Sequence, residues 1–472
     1  MLAPYSNYVP SGLPWAPQIP EGWQVQRNGR LFSHRVETGY PDLPILEVSL
    51  RTGVRVRDMV NGKRKQVMSA KEKYKRAVKG DIAYNMMRMW QGAVGPAPAD
   101  GLVSPAYVVV RPHVGVNTAY YSYLFRTAAY MQEVNKFSRG IVADRNRLYW
   151  ESFKQMPSLV PGAEVQDKIV SYLRIQDAHF ARFIKAKRDL IALLSEQRLR
   201  VIDDAVMNGL NRSANRKPSG IAWLEDVPDH WSVVRLRTLT SSITSGSRGW
   251  SDHAAASGPV FLRVGNLSRG TLDLKLAKTI RLDLPEGTRT ESSRTQVQEG
   301  DILLSITAYI GSVGLVPKDM EEAYVSQHVA RCRLRPNCAN PKWVAFVLLS
   351  KVGQAHGTVC MYGGTKQGLS LNDVKNHVVL LPPPPEQDEL VKHIERETAV
   401  IDSLIAAAKL ELDRVREYRE RLIADVVTGQ VDVRTWQPGP EDQITEEDLT
   451  ALGDDDDNDT TEEETDGDDG HD

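Results

Sequence analysis

At 472 residues the chain is too long for one typical core and has room for about two to four domains. Its 41% hydrophobic and 25% charged content is that of ordinary globular protein, and no apolar run reaches the roughly 18–20 residues that span a bilayer, which speaks against membrane insertion. The net charge of −2 hides an asymmetry: residues 441–472 hold 17 Asp or Glu and no Lys or Arg, so the remainder carries 59 basic residues against 61 − 17 = 44 acidic ones, a surplus of +15, which is the balance a phosphate-binding surface requires.

The opening residues MLAPYSNYVPSGLPW lack a basic segment followed by an apolar stretch, so no secretory signal is expected. Three cysteines, Cys332, Cys338 and Cys360, form no even framework and point to a reducing cytoplasm. A first mixed region, residues 1–160, has strand-like runs PILEVSL, DIAYNMM and AYVVVRP, punctuated by Gly and Pro. Pro161-Gly162 then precedes a helical pattern over 161–212, in which Leu173, Phe180, Leu194 and Val201 recur at sevens with Ile184, Ile191 and Ala205 beside them. A second mixed region, 213–381, repeats the scheme with VFLRVGNL, DILLSIT and VARCRLRP. After Pro382–Pro385 comes a second helix over 382–434, seamed by Ile394, Ile401, Ala408, Val415 and Leu422. Lys187, Arg198 and Arg419 interrupt the two seams. About 42 residues at 1.5 Å each give roughly 63 Å per helix, and the pair is expected to pack as an antiparallel coiled coil. The remainder, 435–472, is predicted to be a disordered acidic tail.

The chain also resembles itself. Trp15, Pro20, Trp23, Val25, Arg27 and Leu31 match Trp223, Pro228, Trp231, Val233, Arg235 and Leu239 at an offset of 208. Gly80–Ile82 match Gly300–Ile302 at 220. From Leu148 with Leu369 the offset is 221, pairing Gln166 with Gln387, Asp167 with Asp388 and Arg200 with Arg421. Offsets constant within blocks imply one scaffold carrying loops of two lengths. The four tryptophans kept in both copies read as scaffold.

With the repeat in hand, IPEGW (Ile19–Trp23) and VPDHW (Val227–Trp231) resemble the openings of target-recognition domains in specificity subunits of type I restriction-modification systems. So do KGDIAYNMMRMWQGAVG followed by SPAY, and EGDILLSITAYIGSVG. RLYWESFKQM and GLSLNDVKNHVVLLPPPPEQ, each leading into a long helix, look like that family's passage to its helical spacer. The resemblance spans roughly residues 13 to 434, twice in the expected order. It implies an α+β fold: two homologous globular α/β target-recognition domains, separated by two helices in an antiparallel coiled coil, with a pseudo-twofold repeat. It further implies that each domain reads half of a bipartite asymmetric site in double-stranded DNA. The subunit itself would have no catalytic residues, metal or cofactor. It would dock two copies of an adenine-N6 methyltransferase (M) subunit that uses S-adenosylmethionine, which restriction (R) subunits using ATP and Mg can join.

The residues offer little to rival chemistries. No Asn/Asp-Pro-Pro-aromatic loop for a flipped base is present, nor a Gly-rich loop ending in Gly-Lys-Ser/Thr. Pro41-Asp42 with Glu47-Val48-Ser49 lacks the Lys of a metal-dependent nuclease core. Cys332, Cys338, His356 and Cys360 match no zinc spacing. The alternative is a coiled-coil scaffold carrying duplicated interaction modules that do not touch DNA.

Phosphate contacts should be basic, and Lys63–Lys79 holds eight Lys or Arg, among them Lys63, Arg64, Lys65, Lys71, Lys73, Lys75 and Arg76. Base-edge readers should be donors and acceptors on loops that differ between copies. The candidates are Asn85, Arg88, Trp90, Gln91, Arg145 and Asn146 in the first region. In the second they are Ser247, Arg248, Trp250, Arg263, Asn266, Tyr309, Lys366 and Gln367.

Overall fold

The computed structural model describes residues 2–50, 53–57, 71–140, 146–284, 289–360 and 368–445. The described residues form two compact units, one within 1–188 and 410–445, the other within 189–409. Each unit therefore takes part of both long helices, Ala163–Asn208 and Pro384–Val427, so the helices are not set apart from the globular regions as the sequence blocks suggested. Among the described residues no helix is long and apolar enough to cross a membrane.

The first unit is built on a four-stranded antiparallel sheet in the order Phe32–Arg35, Tyr107–Pro112, Ile82–Asn85, Val94–Pro96. The second has the same order: Thr240–Ser245, Val329–Leu334, Ile302–Ser305, Val313–Leu315. In each, a separate two-stranded pair leads to a long helix, Gln24–Arg27 with Pro157–Val160 and Ser232–Arg235 with Val378–Leu381. Alternating residues explain the layering. Ile82, Tyr84, Val108 and Val110 face one core, with Phe32, Tyr121, Phe125 and Phe153, while Ala83 and Val109 face a smaller one with Leu46 and Val54. In the second unit Ile302, Leu304, Ala330 and Cys332 join Trp231 and Trp343, and Leu303 and Val329 join Val260, Leu262 and Val325 on the opposite face.

The units differ where strands are added. The first has hairpin Leu46–Ser49/Gly53–Val56 and the pair Lys75–Ala77/Gly101–Val103. The second has a mixed sheet in which Ala254–Leu262 pairs antiparallel with Ile280–Leu282 and parallel with Ala323–Val325. The run VFLRVGNL is a strand only to Leu262. Val264–Asn266 turns away as a short 3-10 helix, because the Asn266 side chain accepts from the Arg263 N–H at 2.9 Å and donates to the Lys275 carbonyl at 2.8 Å.

A shared anchor seats each long helix on its own unit. Asn117 and Asn340 cap the helices Thr118–Phe125 and Pro341–Leu349. The Asn117 N–H donates to Gln166 Oε1 at 2.9 Å, whose Nε2 reaches the Pro161 carbonyl at 2.9 Å. Asn340, Gln387 and Pro382 repeat this at 2.8 and 2.8 Å. Both glutamines are 1% exposed, so their amides replace water entirely.

The three residues that break the apolar seams are all paired across helices. In the first unit Lys187 meets Glu411 at 2.5 Å and Arg419 meets Asp177 at 2.8 Å. In the second Arg198 meets Asp402 at 2.8 Å. Within the first unit the partner's number falls from 419 to 411 as the other rises from 177 to 187, so the helices run antiparallel there.

The far ends of the helices close the units in matching ways. Gly429 has φ +77 and Gly209 φ +67, with the rings of Trp23 and Trp231 each 3.1 Å from where a Cβ would stand. Beyond Gly429 the Asp432 N–H donates to the Ala3 carbonyl at 2.9 Å. The tail predicted to be unfolded from 435 is instead seated through 443. Trp436 packs edge-on against Tyr172 at 5.2 Å, Asp442 bonds His179 at 2.7 Å, and Arg182 donates to the Gln443 carbonyl. An indole and a β-turn side chain at the head of an acidic run are local features that overall composition does not register.

Candidate nucleic-acid interface

The Gly-Asp-Ile corner that opens the third strand of each sheet is a buried electrostatic joint. Asp81, 2% exposed, accepts from the Val78 N–H at 2.9 Å and from Arg35 Nε at 2.6 Å. Asp301, 1% exposed, accepts from the Gln298 N–H at 2.9 Å and takes Arg333 Nε and Nη2 at 2.8 and 2.7 Å. The guanidinium comes from an outer strand in one unit and from the adjacent central strand in the other. Burial raises the Asp81 carboxyl above its usual value despite its partners, and burial lowers the Arg331 guanidinium beside Asp301.

This joint fixes where the next loop leaves the sheet. The Met86 carbonyl accepts from the Leu148 N–H at 2.8 Å, and the Ile306 carbonyl from the Leu369 N–H at 2.8 Å. At one sheet edge of each unit the loop after the third strand thus meets the segment that leads back to the long helix. In the second unit more arrives at that edge. The Gly246 N–H donates to the Ser326 carbonyl at 3.0 Å, the Ser326 N–H to the Leu262 carbonyl at 2.9 Å, and the Ile306 N–H to the His328 carbonyl at 3.1 Å. These bonds bring the chain at Ser247, Arg263 and the Tyr309 loop to one place.

The predicted residues divide. In the first unit Arg88 and Gln91 are exposed on the loop. Asn85 and Trp90 shape it: Asn85 Oδ1 accepts from the Met87 N–H at 2.9 Å and the Trp90 indole donates to the Met87 carbonyl at 3.0 Å. Asn146 bonds Asn135 at 3.3 Å. In the second unit Arg248 is exposed, Ser247 Oγ is buried with no hydrogen-bond partner among the described residues, and Arg263 is half-buried. Tyr309, 41% exposed, stands out with φ +54.

Two expectations are corrected. Trp250 is 3% exposed and packs edge-on against Tyr324 at 5.6 Å in a small core with Phe261 and Leu282. Asn266, 5% exposed, is spent on the turn it closes. Side-chain type marks both as readers, but contacts distant in sequence bury them. Lys63, Arg64, Lys65, Arg145, Lys366 and Gln367 lie outside the described residues. In the same basic stretch Lys75 donates to the Tyr107 carbonyl at 2.6 Å, and burial lowers its ammonium. Arg76 pairs Asp100 at 3.0 Å and covers the Tyr40 ring. Both are structural.

Sequence reasoning missed Arg139 and Arg147. Their backbones exchange hydrogen bonds at 3.0 and 2.9 Å. Both side chains are exposed and unpaired among the described residues, and the Leu148 bond sets them beside Met87 and Arg88. The rule that selected Arg145 and Asn146, proximity to a segment unlike in the two copies, would have found them. Among the described residues no group of three or more His, Cys, Asp or Glu is placed to hold a metal ion.

Residues 280–413 match the family described as the type I restriction modification DNA specificity domain. The specificity subunit of the type I restriction enzyme EcoKI, from Escherichia coli strain K12, is 24% identical over 356 residues, 73% of this chain and 72% of that one. The EcoBI specificity subunit of Escherichia coli is 25% identical over 227 residues, 48% of this chain and 47% of that one. The chain is thus similar to specificity subunits of type I restriction enzymes. Its fold is shared with a chain solved in work on complex assembly and conformational transition of the type I R-M system. The TM-score is 0.55 at 16% identity, covering 88% of this chain and 99% of that one. In this chain the family match begins at the strand Ile280–Leu282 and ends within the second long helix.

Proposed function

We propose that this chain reads a bipartite, asymmetric site in double-stranded DNA, one half per unit, and directs adenine-N6 methylation by a separate methyltransferase. It supplies no catalytic group itself. The observation that carries the reading is the doubled edge. Two sheets of identical strand order hold their loops with the same backbone bond, Leu148 to Met86 and Leu369 to Ile306, yet present different side chains there. A scaffold kept constant beneath loops that vary suits two modules built to recognise different sequences. The relatives' designation as specificity subunits agrees with it. Arg88, Arg139 and Arg147 in the first unit and Arg248 in the second, exposed and unpaired among the described residues, supply donors for phosphates and base edges.

Two methyltransferase copies are the expected partners, with S-adenosylmethionine bound on them. Restriction subunits with ATP and Mg would join in a restricting complex. The test is methylation mapping of genomic DNA from cells expressing this chain with its methyltransferase. N6-methyladenine should appear at one split motif only when both proteins are present, and replacing residues 13–160 with those of another specificity subunit should change one half of that motif alone. Methylation of the same sites without this chain would leave it a scaffold.

A further inference from the structure

Most arginines on the second unit's framework spend their donors. Arg333 is bonded to Asp301, and Arg198 to Asp402 and the Gly270 carbonyl. Arg269 does not. It is exposed and makes no hydrogen bond or ion pair among the described residues, yet its guanidinium lies over the Tyr309 ring, 3.5 Å from the centroid. Stacking of this kind holds the fork in place through its face and leaves the N–H donors along its edge free.

Both halves of the pair are fixed from behind. Arg269 sits at the tip of a turn closed by the Leu267–Leu274 bridge, tied to the sheet by the Leu315 N–H on the Leu272 carbonyl at 2.9 Å, and to the first long helix through Arg198. Tyr309 occupies the left-handed region, which a bulky residue adopts only when its surroundings require it. Those surroundings are present. Ser305 Oγ donates to the Thr307 and Ala308 carbonyls at 2.9 and 2.7 Å, Ser312 Oγ to the Tyr309 carbonyl at 2.9 Å, and Gln354 Nε2 to the Gly311 carbonyl at 2.8 Å. The loop is over-determined so as to hold an aromatic ring outward at the sheet edge where the second unit's loops converge.

We propose that Arg269, its guanidinium carbon 3.5 Å from the Tyr309 ring centroid, is a specificity-determining residue of the second unit, which presents two parallel N–H donors to the O6/N7 edge of a guanine. This rests on the DNA-reading function proposed above. A phosphate contact needs only a positive charge on a flexible stem, whereas guanine needs a planar fork in a fixed orientation. An aromatic platform under an arginine with unspent donors meets the second requirement and is superfluous to the first.

The test uses the full chain co-expressed with its methyltransferase, with methylated motifs mapped for the wild type, Arg269→Ala, Arg269→Lys and Tyr309→Leu. The first unit's half-motif serves as an internal control for folding and assembly. Arg269→Ala should leave that half intact and relax one guanine position in the other. The preference there, roughly tenfold to hundredfold for a bidentate contact, should fall towards unity. Arg269→Lys should fail to restore it, and Tyr309→Leu should lower it in part. If Arg269→Ala keeps every position of the motif, or weakens binding equally at all sequences with a shallower salt dependence, the assignment is overturned while the function stands. A wild-type chain that directs methylation to no motif would overturn both.

Discussion

His356 and His377 lie against each other in the second unit with ring centroids 4.4 Å apart, both close to the Asp373 carbonyl, at 3.3 and 3.2 Å. Trp223 flanks His356 at 6.3 Å, and the Arg235 charge also acts to lower His356. Burial first, then the neighbouring His356, lowers His377 from 6.5 to about 4, and burial also lowers His356. Because the folded-state values lie below the unfolded ones, the contribution is fully present above pH 6.5 and is lost as pH falls from there through about 4. For His377 alone the difference of about 2.5 units corresponds to about 3 kcal/mol. At the matching place the first unit has Met156, fully buried, so this pair softens the second unit alone. Hydrogen exchange measured by mass spectrometry between pH 7.5 and 4, corrected for intrinsic rates, should show protection falling across 340–381 before 107–160. His377→Met should remove most of the difference. Equal loss in both units, or an unchanged profile in His377→Met, would refute the reasoning.

Gln387→Ala strips the partner from the Asn340 N–H and the Pro382 carbonyl, both beneath the helix start. Two orphaned groups should cost roughly 2–4 kcal/mol, seen as a lowered denaturant midpoint with unchanged slope. Gly429→Ala places a Cβ at φ +77 about 2.5 Å from the Pro20 ring. It should destabilise the first unit by at least about 1–2 kcal/mol and release Trp23, which a fluorescence red shift during thermal unfolding would report.

Much of the scaffold was legible because it obeys local periods. Strands at 82–85 and 302–305 alternate as the sequence requires, and the long helices start just after Pro161-Gly162 and within the run Pro382–Pro385. The seam breakers Lys187, Arg198 and Arg419 were visible as exceptions, but their partners lie about 200 residues away, where no window reaches. The interface was less legible. Residue type alone cannot separate Trp250, buried against the strand at 323–325, and Asn266, buried by the turn at 275–278, from Arg248, which stays exposed. Arg269 carries no signal in the sequence at all, since its meaning depends on a ring 40 residues later.

The contact between Asp432 and Ala3 has a topological consequence. In the second unit one continuous stretch leads from Gly209 to the strand Arg216–Lys217 and its partner Val227–Pro228. In the first, the same job is divided between the segment after Gly429 and the segment before Tyr8, pinned together by that single backbone bond. The two segments of the first unit thus do together what one continuous stretch does in the second. A short linker bridging Trp436 to Ala3, with new ends opened between Asn211 and Asn215, gives a circular permutant that keeps the Arg216–Lys217/Val227–Pro228 pairing of the second unit.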